Sequence, residues 1–141
     1  MVKWDLVAKL NMKNNNYITD EEFNIFLESI GGLENGFYTD REPIKDAGFC
    51  CIGNGWLGIV KSLIEDLIEL GWDKQICQVK EKFGGLRFYI NSGSDEIYKK
   101  IFKAEIKSNE VCEKCGEPGE SISGGWIVTL CKFHAEEKLN K

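Results

Sequence analysis

Near the end of the chain, Cys112 and Cys115 are followed, after an interval holding Gly124 and Gly125, by Cys131 and His134. Each pair has two residues between its members. Together they supply three thiolates and one imidazole, the donor set that Zn²⁺ takes in closed tetrahedral sites. Gly116, directly after the first pair, suits a tight knuckle in which both sulfurs point to one centre. Ser121 to Leu130 reads as the hairpin that follows. Cys131 and His134 then fall at the first turn of a short terminal helix, Ala135 to Leu139, which is the order of a treble-clef finger. Four protein ligands leave no position for water, so the expected zinc is structural: it folds a segment too poor in apolar residues to fold alone.

This use of the cysteines bears on compartment and chemistry. A cytosolic chain keeps its thiols reduced, which favours metal over disulfides. Cys50, Cys51 and Cys77 lie outside the set; adjacent cysteines are poorly placed to chelate one ion together, and plain packing is the reading for all three. His134 is the only histidine. With it bound to metal, Ser-His and Cys-His nucleophiles and the HExxH metalloproteases are excluded. Any enzyme would have to run on carboxylate, lysine or tyrosine, with Glu81 the candidate, and this is the least favoured class.

At 141 residues, the chain suits one α+β domain over residues 1–110 with a zinc-finger module over 111–141 packed on it. The content of 43% hydrophobic and 29% charged residues belongs to a chain that buries a core. No apolar run approaches the roughly 18 residues of a membrane span, and Met1 to Asp5 lacks the apolar stretch of a secretory signal. The chain is therefore expected in the cytoplasm, off the membrane. A net charge of −5 opposes duplex nucleic acid and anionic lipid. Glu113, Glu117 and Glu120 beside Lys114 also argue against a finger that grips nucleic acid.

Upstream, Val2 to Lys13 shows weak helical spacing and carries no motif that assigns a role to the first 40 residues. Asn14 to Asn16 is a loop. Thr19 and Glu22 form a capping-box pattern ahead of Phe23, Phe26, Leu27 and Ile30, and Gly31-Gly32 stops that helix. Residues 33–55 show no sustained period and read as a long connection. Trp56, Ile59, Val60, Leu63, Ile64, Leu67 and Leu70 form a broad apolar helical stripe, closed by Gly71 and Trp72.

Gln75 to Asn91 reads as a hairpin turning at Gly84-Gly85, which pairs Phe83 with Leu86, Lys82 with Arg87, Glu81 with Phe88, Lys80 with Tyr89 and Val79 with Ile90. Cys77, Val79, Phe83, Leu86, Phe88 and Ile90 then share one face, and Gln78, Lys80, Lys82, Arg87, Tyr89 and Asn91 the other. Ser94 caps a further helix with Ile97, Ile101, Phe102 and Ile106 facing inward. The fold class is thus α+β: helices packed on a β-hairpin or small antiparallel sheet, with a C-terminal treble-clef-like zinc finger.

Lys82 opposite Arg87 is a like-charge pair that costs some tenths of a kcal/mol unless an anion relieves it. With Lys80 and Tyr89 it makes a face of three cations and a phenol, suited to phosphate or carboxylate. A solvated face, or salt bridges to a neighbouring helix, is the alternative. Gly53-Asn54-Gly55-Trp56 adds free N–H groups at a helix start and a stacking ring, with Gly55 and Trp56 as candidate ligand contacts. Tight packing of the glycines and a core role for Trp56 explain the same residues.

Four segments, Gly53-Asn54-Gly55-Trp56, Gln78 to Tyr89 (QVKEKFGGLRFY), Cys112 to Gly119 (CEKCGEPG) and Gly125 to Cys131 (GWIVTLC), resemble a widespread group of small phage and prophage proteins. The likeness covers roughly residues 43–137. In that group a fourth cysteine often ends the finger where His134 stands here, a change that preserves ligation. The resemblance implies an accessory protein acting in an infected bacterial cytoplasm, and carries over no catalytic residue.

The leading expectation is a non-enzymatic binding protein with a structural zinc site and an anionic small-molecule ligand, such as a nucleotide or host defence signal. The rival is an interaction module that uses the acidic surface and the 33–55 connection to inhibit or recruit a host or phage protein. Self-association is left open, and a nucleic-acid-associated finger is disfavoured.

Overall fold

The computed structural model describes residues 15–35, 52–123 and 125–139. The reading of 2–13, most of the 33–55 connection, and Cys50 and Cys51 lie outside the described residues.

Helix α1, Asp20–Ser29, begins at the capping box: Thr19 Oγ1 accepts from Glu22 N at 3.0 Å and Glu22 Oε1 accepts from Thr19 N at 2.9 Å. It buries Phe23, Phe26 and Leu27. Its end is a Schellman turn, with Gly32 N donating to Leu27 O at 2.7 Å and Gly31 N to Glu28 O at 3.1 Å. Strand β1, Glu34–Asn35, follows at once and pairs in parallel with Gln75 and Ile76. A two-residue strand is too short to show a period, so it lies inside the stretch that reads as a connection.

A 3₁₀ turn, Asn54–Trp56, leads into α2, Leu57–Glu69, which buries Leu57, Ile59, Val60, Leu63, Ile64 and Leu67. A second Schellman turn ends it: Trp72 N donates to Leu67 O at 2.9 Å and Gly71 N to Ile68 O at 3.0 Å. Trp72 folds back as the motif demands and packs on Phe88, ring centroids 6.0 Å apart.

Strands β2, Gln75–Lys82, and β3, Gly85–Ile90, form the hairpin, but its turn is Phe83-Gly84. Lys82 pairs with Gly85, Glu81 with Leu86, Lys80 with Arg87, Val79 with Phe88 and Gln78 with Tyr89. The expected register is therefore corrected. The change preserves the two faces, since every partner moves by two positions. Phe83 leaves the apolar face and stands 70% exposed at the turn. A bulge between Ile76 and Gln78 resets the alternation, so Ile76 and Val79 are buried while Cys77 is only half-buried.

Helix α3, Asp95–Ser108, is capped by Ser94, whose Oγ accepts from Ile97 N at 3.3 Å. It covers the free edge of β3 with its own side chains: Leu86 N donates to Ser108 Oγ at 2.9 Å and Phe88 N to Glu105 Oε2 at 3.0 Å. Ile97 and Ile101 are buried, but Phe102 and Ile106 are 62% and 48% exposed. The inward expectation for those two is corrected, because Ile97, Ile101 and Ser108 already define the inner face and Phe102 and Ile106 fall on the other side.

The core joins α1, α2, α3 and the inner hairpin face around Trp56, Phe23, Leu27, Leu63, Leu67, Leu86 and Phe88. The C-terminal module follows as a knuckle, the hairpin β4, Glu120–Ile122, with β5, Val128–Leu130, and helix α4, Lys132–Leu139. The architecture is α+β with a treble-clef order at its C-terminal end. Among the described residues no helix is long and apolar enough to cross a membrane.

Candidate metal centre

The knuckle forms because Gly116 adopts φ +81° and donates its N–H to Cys112 O at 2.8 Å, folding Cys112 and Cys115 toward one point. On the opposite side α4 starts directly after Cys131, so His134 on its first turn faces the same point; His134 N donates to Cys131 Sγ at 3.4 Å. The ligating atoms of Cys112, Cys115, Cys131 and His134 all lie within 4.8 Å of one another. Cys115 and Cys131 sulfurs are 3.7 Å apart, Cys112 Sγ is 3.5 Å from His134 Nδ1, and Cys131 Sγ is 3.2 Å from it. Tetrahedral Zn²⁺ with bonds of about 2.3 Å to sulfur and 2.0–2.1 Å to nitrogen requires roughly 3.8 Å between sulfurs and 3.5 Å from sulfur to nitrogen. The four residues named from spacing are thus brought together at distances that could hold a metal ion.

The local electrostatics match. Burial would raise the Cys112 thiol, but N–H groups of Cys131, Cys115 and Lys114 outweigh it and hold that thiol below its ordinary value. Cys115 is pushed up to about 12 by burial, with the neighbouring Cys112 and Cys131 sulfurs adding to the rise. A cluster that resists holding several bare thiolates together is one that a dication stabilises.

The module is seated on two glycine motifs. In the first, Gly55 N donates to Glu113 O at 2.7 Å, Gly53 N to Glu113 Oε2 at 2.9 Å, and Trp56 Nε1 to Val111 O at 2.8 Å. A Cβ at Gly55 would overlap Cys112 O and stand 2.6 Å from both Glu113 O and Gly116 N, so only glycine admits the knuckle. In the second, Thr129 Oγ1 donates to Gly84 O at 2.5 Å, and a Gly84 Cβ would meet Ile127 Cγ2 at 3.1 Å. Asn16 Nδ2 also donates to Gly116 O, at 3.1 Å.

The anion reading of Gly55 and Trp56 is corrected accordingly. The carboxylate that meets this helix start belongs to Glu113 of the same chain, and Trp56 is fully buried. Burial raises the Glu113 carboxyl above its usual range; the Gly53 N–H opposes that, nearby Glu81 adds to it, and Lys114 opposes it. Glu81 itself accepts from Gly84 N at 2.7 Å and so braces the hairpin turn. The seating roles of Glu113 and Thr129 have no signature in the sequence beyond the position of Glu113 between Cys112 and Cys115.

On the outer hairpin face, Lys80 stands opposite Arg87, not Tyr89, and Lys82 opposite Gly85. Arg87 Nη1 donates to Leu86 O at 2.9 Å and lies 3.1 Å from where a Gly85 Cβ would be. The missing side chain at Gly85 therefore lets the guanidinium fold toward Lys82. Lys80 Nζ is 6.0 Å from the Tyr89 ring centroid, and Tyr89 is 40% exposed. Among the described residues, neither Lys80, Lys82 nor Arg87 has a carboxylate within 4.0 Å. Comparison with family models, with curated proteins and with solved structures gives no match, so the site is read from its own geometry.

Proposed function

We propose that this protein is a non-enzymatic binding protein in which a structural Zn²⁺, held by Cys112, Cys115, Cys131 and His134, locks the C-terminal module onto the core. The cationic hairpin face, Lys80, Lys82, Arg87 and Tyr89, holds an anionic ligand of the nucleotide class. The observation that carries this reading is the directly opposed pair Lys80 and Arg87, with Lys82 alongside, uncompensated by any carboxylate among the described residues. Like charges opposite one another on a strand pair cost stability unless something negative lies between them. Arg supplies a planar fork for phosphate oxygens and Lys a point charge, while the half-exposed Tyr89 ring offers a face to a base. The likeness to phage and prophage proteins supports an accessory role in an infected cytoplasm, such as sequestering a nucleotide messenger of host defence.

The test is calorimetry of the zinc-loaded protein with a panel of nucleotides. Binding is expected, weakened by about tenfold or more, over 1.4 kcal/mol, when Lys80 and Arg87 both become Ala. Absence of binding, or equal binding by the double variant, would overturn the reading.

A further inference from the structure

Tyr98, Phe102 and Ile106 recur every four residues along α3 and are 47%, 62% and 48% exposed. The same helix already buries Ile97 and Ile101 on its inner face. Folding gives it no reason to carry a second apolar ridge, and an exposed ridge of large side chains is the mark of a docking surface. One flank of the ridge is closed, since Glu105 turns to the sheet to accept from Phe88 N. The other carries the exposed Lys99 and Lys103, neither of which has a carboxylate within 4.0 Å among the described residues; the ion pair formed by α3 is Lys100 with Asp66, at 3.9 Å.

We propose that this ridge docks an acidic amphipathic helix of a partner protein. Apolar residues at i and i+4 of that helix would meet Tyr98, Phe102 and Ile106, and its glutamates or aspartates would meet Lys99 and Lys103. The charge decides the occupant. A second copy of this chain laid antiparallel across Phe102 would bring Lys99 and Lys103 against the same two lysines, which like-charge repulsion opposes. At about 1.5 Å rise per residue, the ridge from Tyr98 to Ile106 is about 12 Å long and spans roughly two turns of a partner helix. The ridge residues lie on α3 and the hairpin cations on β2 and β3, with no residue in common, so either proposal can fail without the other.

The probe is a synthetic helical peptide of about 18 residues, with leucines at i and i+4 and glutamates on both flanks, titrated into the zinc-loaded protein by fluorescence anisotropy. A twin peptide carries lysine in place of every glutamate. The wild type is expected to bind the glutamate peptide and to prefer it to the twin. Phe102→Asp, a change at an exposed position that leaves the unfolding midpoint in place, should weaken binding by about tenfold or more. Lys99→Glu with Lys103→Glu should reverse the preference toward the lysine peptide. No binding by the wild type, equal binding by Phe102→Asp, or an unreversed preference would overturn the proposal. So would self-association of the wild type that Phe102→Asp abolishes, since the occupant would then be a second copy.

Discussion

The core and the C-terminal module reach stability by different means. Between α1 and α3 the chain buries Phe23, Leu27, Trp56, Leu63, Ile64, Leu67, Ile76, Leu86 and Phe88 almost completely, and burial of apolar area at about 25 cal/mol per Å² is the main force that favours folding there. In the module beyond Val111, Leu130 is the one buried aliphatic side chain among the described residues, beside Cys112 of the candidate metal cluster and the polar Thr129. Where the module lacks apolar area it carries a Cys₃His cluster that could hold a metal ion and a set of hydrogen bonds to the core. Those bonds converge on Gly53, Gly55 and Gly84, so the glycines are where the two regimes meet.

The largest test of this contrast is removal of the metal. Chelation, or Cys115→Ser, should take away a contribution on the order of 10 kcal/mol, as in zinc-finger peptides. Hydrogen exchange should then show protection lost over residues 111–139 and kept at Leu63, Leu67, Val79 and Phe88. Protected module amides in the metal-free protein would break the contrast. Next in size is Gly55→Ala, whose methyl would collide with Cys112 O and crowd Glu113 O and Gly116 N. It should cost about 3 kcal/mol in urea unfolding, with weaker zinc retention against a competing chelator. Gly71→Ala gives the comparison: it sits at φ +94° with nothing within 4 Å of a new Cβ, so it should cost about 1 kcal/mol and leave zinc retention unchanged. Thr129→Val falls between them, at about 1–3 kcal/mol, because it leaves the Gly84 carbonyl without its buried donor.

The elements with local signatures were legible in the sequence. Thr19 with Glu22, Gly71 with Trp72, and the cysteine spacing each state their structure within a few residues, because capping, chain reversal and chelation are local chemistry. The hairpin faces were legible as well, since alternation survives a shift of two positions. Its register was not. Gly84-Gly85 satisfies the turn rule by itself, but Gly84 is held by Thr129 and Glu81, and Gly85 makes room for Arg87. Thr129 comes from a distant part of the chain, Glu81 and Arg87 from the hairpin strands themselves, and together they hold the turn at Phe83-Gly84. Trp56 and Gly55 misled for the same reason: a helix start with open donors attracts an anion, and Glu113, sixty residues downstream of Gly53, supplies it. Phe102 and Ile106 misled because apolar character alone does not separate a core face from a docking face.

The smallest effect has the opposite sign. Phe83 holds φ +53° in a turn whose second central residue, Gly84, holds φ +81°, the pattern of a type I′ hairpin, which prefers Asn-Gly. A bulky side chain in the left-handed region costs roughly 1–2 kcal/mol, and Phe83 recovers little by burial, being 70% exposed. It does keep Lys82 Nζ 5.6 Å from its ring centroid, a contact worth about 0.5 kcal/mol at an exposed site. Phe83→Asn should therefore raise stability by about 0.5–1 kcal/mol, read as a higher urea midpoint at unchanged slope. The aromatic then needs a reason other than folding, and the cationic face beside it offers one, since a ring next to Lys82 gives a nucleotide base a second surface to stack on. On that account the stabilised variant binds nucleotide several-fold more weakly and inorganic phosphate as before. Equal loss for both ligands would assign the ring to shaping the turn, and an unchanged or lowered midpoint would show that the left-handed Phe83 carries no strain for the core to absorb.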